Sequence, residues 1–138
     1  MLTKDTLNKL TYSIIGAAIE VHKHLGPGLL ESVYHRCMEH ELMLLDIPFV
    51  TEKNVPVIYK SLAMQSDLRC DLLVDGLIPV ELKAVDSIHP IHEAKLFTYM
   101  RLLEKPKGLL INFNCVNIAK QGQRTFVNEF FHKLENGY

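Results

Sequence analysis

No apolar run in this chain of 138 residues lasts more than a few positions, far short of the ~20 needed to cross a bilayer. The N-terminal residues also lack the charged stretch, apolar stretch and small-residue cleavage site of a secretory signal. Together these absences lead us to expect a soluble, cytoplasmic protein with no membrane partner. Cysteine is scarce. Cys37, Cys70 and Cys115 are odd in number and far apart, with no CxxC, which excludes a disulfide framework and a thiolate metal cluster and leaves buried core thiols. An excess of either charge is missing as well: 15 Lys and Arg face 16 Asp and Glu, for a net charge of −1. That balance rules out coating of nucleic acid by bulk attraction, so any such contact must be local. Repeats, linkers and low-complexity segments are absent too, and the length fits one domain over residues 1–138.

What is present is ordinary globular composition, 48% hydrophobic and 22% charged. Leu7, Leu10, Ile14, Ala17, Ala18 and Val21 fall at helical spacing between about Lys4 and His24, and Gly26-Pro27-Gly28 ends the pattern. A second helix is predicted from about Leu29 to Leu45, with Leu30, Val33, Tyr34, Cys37, Met38, Leu42 and Leu45 inward, stopping before Pro48. From Phe49 the period changes, and FVTEKNVPVIYK, LRCDLLV and LIPVELKAV read as three strands of an antiparallel meander. Pro90 opens a helix through IHEAKLFTYMRLLEK. GLLINF, residues 108–113, is a short continuous apolar run of the kind found in a parallel strand after a crossover helix. The tail QGQRTFVNEFF reads equally as a strand or a short helix. The order helix, helix, three strands, helix, strand predicts an α/β fold with one mixed sheet flanked by helices.

The segment DLLVDGLIPVELKA, residues 71–84, places three charges in the most sheet-like part of the chain. A two-residue turn at Asp75-Gly76 pairs Cys70 with Glu81 and mixes the two faces. A three-residue loop, Asp75-Gly76-Leu77, instead sets Val74 opposite Ile78, Leu72 opposite Val80 and Cys70 opposite Leu82, making one face apolar. The other face then carries Asp71 opposite Glu81, their β-carbons about 5 Å apart, with Lys83 two residues on. Pro79 cannot donate to a ladder, which predicts a break just before Glu81.

Two carboxylates this close repel unless a cation sits between them. Carboxylate ligands, completed by a backbone carbonyl such as that of Leu82 and by water, suit Mg²⁺ or Mn²⁺ rather than zinc. Such an ion would polarise a phosphoryl oxygen and acidify water, with Lys83 stabilising phosphate charge or orienting the nucleophile. A Glu-x-Lys triplet arises by chance in about a third of chains this long, and Glu93-Ala-Lys95 is a second one here. Only Glu81-Leu-Lys83 lies on a strand, where i and i+2 share a face. On these residues alone, a metal site and a salt-bridged sheet face stand at even odds. Glu31 and Tyr34 share a helix face, as do Lys95 and Tyr99; locally they read as a first-turn acid, a solvated lysine and two core tyrosines. The seven histidines offer no HExxH or similar spacing and read mainly as surface or capping groups.

Gly28-Leu-Leu-Glu31-Ser-Val-Tyr34, Asp71, Glu81-Leu-Lys83, the HEAKLFTYMRLL helix and GLLINFN occur in one order, and in this the chain resembles the GxxExxY family of the PD-(D/E)XK nuclease superfamily over about Tyr12 to Asn114. The resemblance implies a restriction-endonuclease-like α/β core. It implies Asp71 and Glu81 as metal ligands, Lys83 as the catalytic lysine, and Glu31 as a further acid that binds metal or holds a metal-bound water. Lys95, Tyr99 and Tyr34 become candidates for contact with the nucleic-acid backbone. One departure stands out: exonuclease-like branches often carry Gln-x-x-x-Tyr where this chain has Lys95-Leu-Phe-Thr-Tyr99, and lysine cannot accept a hydrogen bond.

The function so implied is a Mg²⁺- or Mn²⁺-dependent nuclease hydrolysing phosphodiester bonds, with DNA as partner. A second reading is a catalytically inactive nuclease-fold module that binds nucleic acid or a protein, and a third is a purely structural ion cluster. The small size, with no separate DNA-reading module, points to a homodimer or a larger protein partner.

Overall fold

A computed structural model describes residues 1–138. Helix α1, Lys4–Leu25, begins where Thr3 accepts a hydrogen bond from the Thr6 amide, satisfying one of the free N–H groups of its first turn. Asp5 lies at its N-terminal end and His22, Lys23 and His24 at its C-terminal end, complementing the helix dipole. It stops at Gly26, whose φ of 70° is accessible to glycine at little cost. Its buried stripe, Leu7, Thr11, Ile14, Ala17, Ala18 and Val21, has the predicted spacing. Helix α2, Glu31–Leu44, buries only Tyr34, Met38 and Leu42. The expected inward face was too wide, since Leu30, Val33 and Leu45 are exposed: α2 covers the sheet with one row of side chains four apart.

The segment read as a single strand from Phe49 to Lys60 is two. Strand β1 spans Phe49–Asn54; Val55 is fully buried, and Pro56, with no N–H to continue the ladder, separates it from β2. Strands β2, Val57–Tyr59, and β3, Leu62–Met64, form a separate two-stranded hairpin. Strands β4, Arg69–Val74, and β5, Ile78–Lys83, follow. Helix α3, Pro90–Leu102, starts at Pro90 as expected, with the His89 amide donating to His92 Nδ1. Strand β6 is Lys107–Asn112. The undecided tail contains both alternatives: after a π-helical turn at Ile118–Gly122 come β7, Gln123–Val127, and the short α4, Glu129–His132.

The main sheet has the order β1-β4-β5-β6-β7. Strands β5 and β6 run parallel, with Glu81 beside Leu110 and Lys83 beside Asn112, and the other pairs are antiparallel. Strand β6 is buried throughout, as its unbroken apolar run predicted. Gly108 permits this close packing, since a β-carbon there would stand 2.8 Å from Met100 Sδ on α3. The principal core joins α1 and α2 to one sheet face through Leu7, Ile14, Tyr34, Met38, Leu72, Val74, Ile78, Val80, Leu109 and Ile111. A smaller cluster, Leu96, Met100 and Leu110, seats α3 on the opposite face. No helix is long and apolar enough to cross a membrane.

Candidate functional site

The β4–β5 hairpin has the register of the three-residue loop: Val74 pairs with Ile78 and Leu72 with Val80. The ladder ends there. Cys70 is not opposite Leu82 as the pattern predicted; it pairs with Lys53 of β1 and packs in a cluster with Val55 and Tyr99. Beyond Leu72 the two strands are joined by side chains. The Asp71 amide donates to Glu81 Oε2 at 3.1 Å, and the Leu82 amide donates to Asp71 Oδ2 at 2.7 Å. Each carboxylate thus takes the place of a backbone carbonyl across the opening, and both amides are satisfied. The break falls just before Glu81, where Pro79 led us to expect it.

Glu81 is 3% exposed. Burial, then the charge of Asp71 and the hydrogen bond between the two acids, raise its pKa from 4.5 to about 8, against smaller opposing pulls from the Asp71 amide and then Lys83. A buried acid pressed against a second acid is held neutral by its surroundings, and a cation placed between them reverses that. Glu31 reaches the site from the first turn of α2, with Oε1 3.8 Å from Lys83 Nζ. Its pKa is also raised, by burial first and against the attraction of Lys83, with Asp71 adding repulsion.

Helix α3 supplies the remaining charges. Lys95 Nζ lies 5.6 Å from the Tyr99 ring centroid. Its partial burial works against the charge, yet Tyr99, Glu81 and Asp71 outweigh this and hold its pKa above the ordinary value. One turn earlier, His92 is pushed down by partial burial and by the positive Lys83, His89 and Lys95. The positive charge bordering the carboxylates on the α3 side is therefore that of Lys95, beside Lys83, and His92 is disfavoured from adding to it.

Six of the residues singled out in the sequence, Glu31, Asp71, Glu81, Leu82, Lys83 and Lys95, come together. The two tyrosines do not line the opening. Tyr99 is buried with Val55 and Cys70, beside Lys95 and within the field of Glu81. Tyr34 is fully buried and stacked on Phe113 with ring centroids 4.5 Å apart. Its hydroxyl donates to the Gly26 carbonyl at 2.6 Å and accepts from the Leu29 amide at 3.1 Å. Those bonds exhaust what a substrate would use, so Tyr34 fixes the loop into α2 and with it the direction of Glu31. Sequence reasoning missed His35 and Glu52, whose ligand atoms lie within 4.8 Å of each other and of an Asp71 oxygen. The position of His35 was legible, four residues after Glu31 and hence on its helix face. That of Glu52 was not, because it depends on how β1 pairs with β4.

A mixed sheet whose central antiparallel pair opens around two acids, with a lysine on the same strand and a further acid from a covering helix, defines a restriction-endonuclease-like fold. The family model of the PD-(D/E)XK nuclease superfamily matches residues 8–125, and the chain belongs to that superfamily. No curated protein and no solved structure gives a significant match.

Proposed function

We propose that the protein is a divalent-metal-dependent nuclease of the GxxExxY branch, hydrolysing phosphodiester bonds in DNA in the cytoplasm, where its three free thiols stay reduced. The reading rests above all on Glu81: an acid 3% exposed beside a second acid, at a point where the β4–β5 ladder is interrupted to admit both. An ion pair for stability alone would place a cation, not a carboxylate, against it. The donor set is all oxygen, which fits Mg²⁺ or Mn²⁺. Asp71, Glu81 and the Leu82 carbonyl would hold the ion, with Glu31 as a further ligand or as the acceptor for a coordinated water. When bound, the ion supplies Lewis-acid activation of the phosphoryl group and of the attacking water.

The chain's own side chains do the rest. Lys83, tethered to Glu31, places a positive charge where negative charge grows on the phosphate in the transition state. Lys95, aligned by Tyr99, binds a non-bridging oxygen of the same or the neighbouring phosphate, and in this role a charge replaces the amide found in related nucleases. The positive charges of Lys83 and Lys95 draw the backbone in locally, which a chain of net charge −1 cannot do as a whole. At this size the domain is expected to act as a homodimer or with a larger partner.

The test is cleavage of single- and double-stranded DNA and RNA with Mg²⁺ or Mn²⁺, comparing the wild type with Glu81→Ala and Lys83→Ala. We expect metal-dependent DNA cutting that both substitutions reduce by about 10²-fold or more, with metal binding retained in Lys83→Ala. Metal binding without cutting in the wild type would establish the inactive module instead, and the absence of both would leave a structural cluster.

A further inference from the structure

Between β1 and β4 the chain leaves the main sheet as the β2–β3 hairpin, which pairs only with itself: Val57 with Met64, Ile58 with Ala63 and Tyr59 with Leu62. A two-stranded hairpin alone in water is marginal, and this one is apolar on both faces. Alternation puts Tyr59, Leu62 and Met64 on one face and Ile58 on the other; they are 61%, 58%, 43% and 65% exposed. Its root, by contrast, is fixed. The Val55 amide donates to the Leu68 carbonyl at 3.0 Å, and Asn54 Nδ2 and Arg69 Nη1 both donate to the Ser66 carbonyl, at 3.0 and 3.2 Å. The Val55 side chain is fully buried with Cys70 and Tyr99. A fixed root carrying an uncovered apolar blade is placed to meet something outside the domain, since contiguous exposed apolar surface marks interaction sites.

Placement and charge say what. Strand β1 ends and β4 begins at the hairpin, and β4 runs antiparallel to β5, so the hairpin stands at the end of the sheet where Asp71 and Glu81 open the ladder. Residues 53–69 carry Lys53, Lys60 and Arg69 against the single acid Asp67, a surplus of two positive charges in a chain whose total is −1. The element beside the reacting centre is therefore locally basic in an otherwise acidic chain, which draws a polyanion to it. Composition narrows the polyanion further. VIYKSLAM, residues 57–64, has no Arg, Asn or Gln with which a ribbon in the major groove reads base edges. It has instead an exposed ring among aliphatic side chains, a surface on which unpaired bases stack. Lys60 Nζ lies 5.4 Å from the Tyr59 ring centroid, within reach of the phosphate of a nucleotide stacked there.

We propose that the β2–β3 hairpin is a substrate arm that grips single-stranded DNA, with Tyr59 stacked on an unpaired base and Lys60 on its phosphate. This rests on the nuclease reading of the Asp71–Glu81 site and names the form of its substrate: a single strand, or the single-stranded tail of a duplex. A blunt duplex hides its base faces and meets the arm through phosphates alone.

The test measures binding of the full chain in calcium buffer by fluorescence anisotropy, with one labelled DNA sequence presented as a single strand, as a blunt duplex and as a duplex with a single-stranded tail. The wild type is expected to bind the single strand and the tailed duplex more tightly than the blunt one. Tyr59→Ala should raise Kd for the first two by about tenfold and leave the blunt duplex nearly unchanged, while Tyr59→Phe, which keeps the ring, should match the wild type. Lys60→Ala should lower the salt slope of log Kd for the single strand by about 0.7. Both side chains are exposed, so their replacement leaves the core intact. An unchanged single-strand Kd in Tyr59→Ala would overturn the arm and leave the proposed nuclease standing. Equal weakening on all three DNAs would overturn the single-strand assignment, as would a lack of binding to any of them. A wild-type dimer that Tyr59→Ala dissociates in sedimentation, with the single-strand Kd unchanged, would put a second copy on the hairpin in place of DNA. Single-strand binding weakened by Tyr59→Ala, in a protein that cuts nothing with Mg²⁺ or Mn²⁺, would support the arm and overturn the nuclease.

Discussion

Replacing Glu81 by glutamine separates the cost of the acidic pair from the rest of the fold. In the metal-free protein the Glu81 pKa is raised from 4.5 to about 8, so the folded state keeps a proton that the unfolded chain releases. The folded state therefore binds more protons, and stability falls as pH rises. The loss begins near the unfolded value of 4.5 and is complete above about 8. At about 1.4 kcal/mol per tenfold change in proton activity, the whole window is worth on the order of 5 kcal/mol, a large part of the stability of a domain this size. Glutamine has nearly the same shape, can accept from the Asp71 amide, and never ionises. Urea denaturation in EDTA from pH 5 to 9 should show wild-type stability falling relative to Glu81→Gln by several kcal/mol. Saturating Mg²⁺ should remove the wild-type decline, because a bound cation favours the ionised pair, and adds about 2.7 kcal/mol at a hundred times its Kd. Parallel pH profiles for the two proteins in EDTA would refute the argument, since Glu81 would then titrate alike in the folded and unfolded states.

Further outcomes follow from single contacts. Lys95→Ala should weaken binding to DNA in calcium buffers and lower the salt slope of log Kd by about one ion; anisotropy titrations at several salt concentrations read this, and an unchanged slope would mean that Lys95 touches no phosphate. Tyr34→Phe removes the hydroxyl that joins Gly26 and Leu29 and should cost about 1–3 kcal/mol in urea denaturation, whereas a surface tyrosine would cost almost nothing. Gly108→Ala places a β-carbon 2.8 Å from Met100 Sδ and should cost about 1 kcal/mol, because the flexible thioether can move aside. Paired with Met100→Ala, the same substitution should cost less than the two single losses added together.

The parts legible in the sequence were those set by local patterns. The α1 stripe, the Pro90 start of α3 and the apolar β6 run are periodicity and punctuation, and the three-residue hairpin loop followed from keeping Leu72, Val74, Ile78 and Val80 on one face. Asp71, Glu81 and Lys83 were found because charges inside a buried hairpin conflict with its pattern. What was missed depends on pairings distant in the chain. The β2–β3 hairpin carries exposed Ile58, Tyr59 and Leu62, so it has no amphipathic signal to separate it from β1. Glu52 is an ordinary surface acid until β1 lies along β4. Tyr34 and Tyr99 were assigned to substrate by resemblance, but a tyrosine in the core and one at a surface look alike in a single sequence.

The position of the opening also accounts for its rigidity. Each strand of the β4–β5 pair is apolar and paired at its turn end, where Leu72, Val74, Ile78 and Val80 are all fully buried. At the other end the two strands no longer pair with each other, and Asp71, Glu81 and Lys83 stand there. A one-residue slip would send Asp71 and Glu81 to the opposite face and expose four core side chains, so the hydrophobic half fixes the register of the charged half. The amides of Asp71 and Leu82 then clamp the carboxylates across the gap, and electrostatic strain remains localised in side chains that a cation can relieve. A site built this way does not need to be folded by its metal. It predicts that metal-free protein, at a pH where Glu81 stays neutral, gives amide exchange protection in β4 and β5 close to that of the metal-bound form, with differences confined to the Asp71, Glu81 and Glu52 neighbourhood. Protection lost along the whole of β4 and β5 on metal removal would mean that the cation, not the apolar half, sets the register.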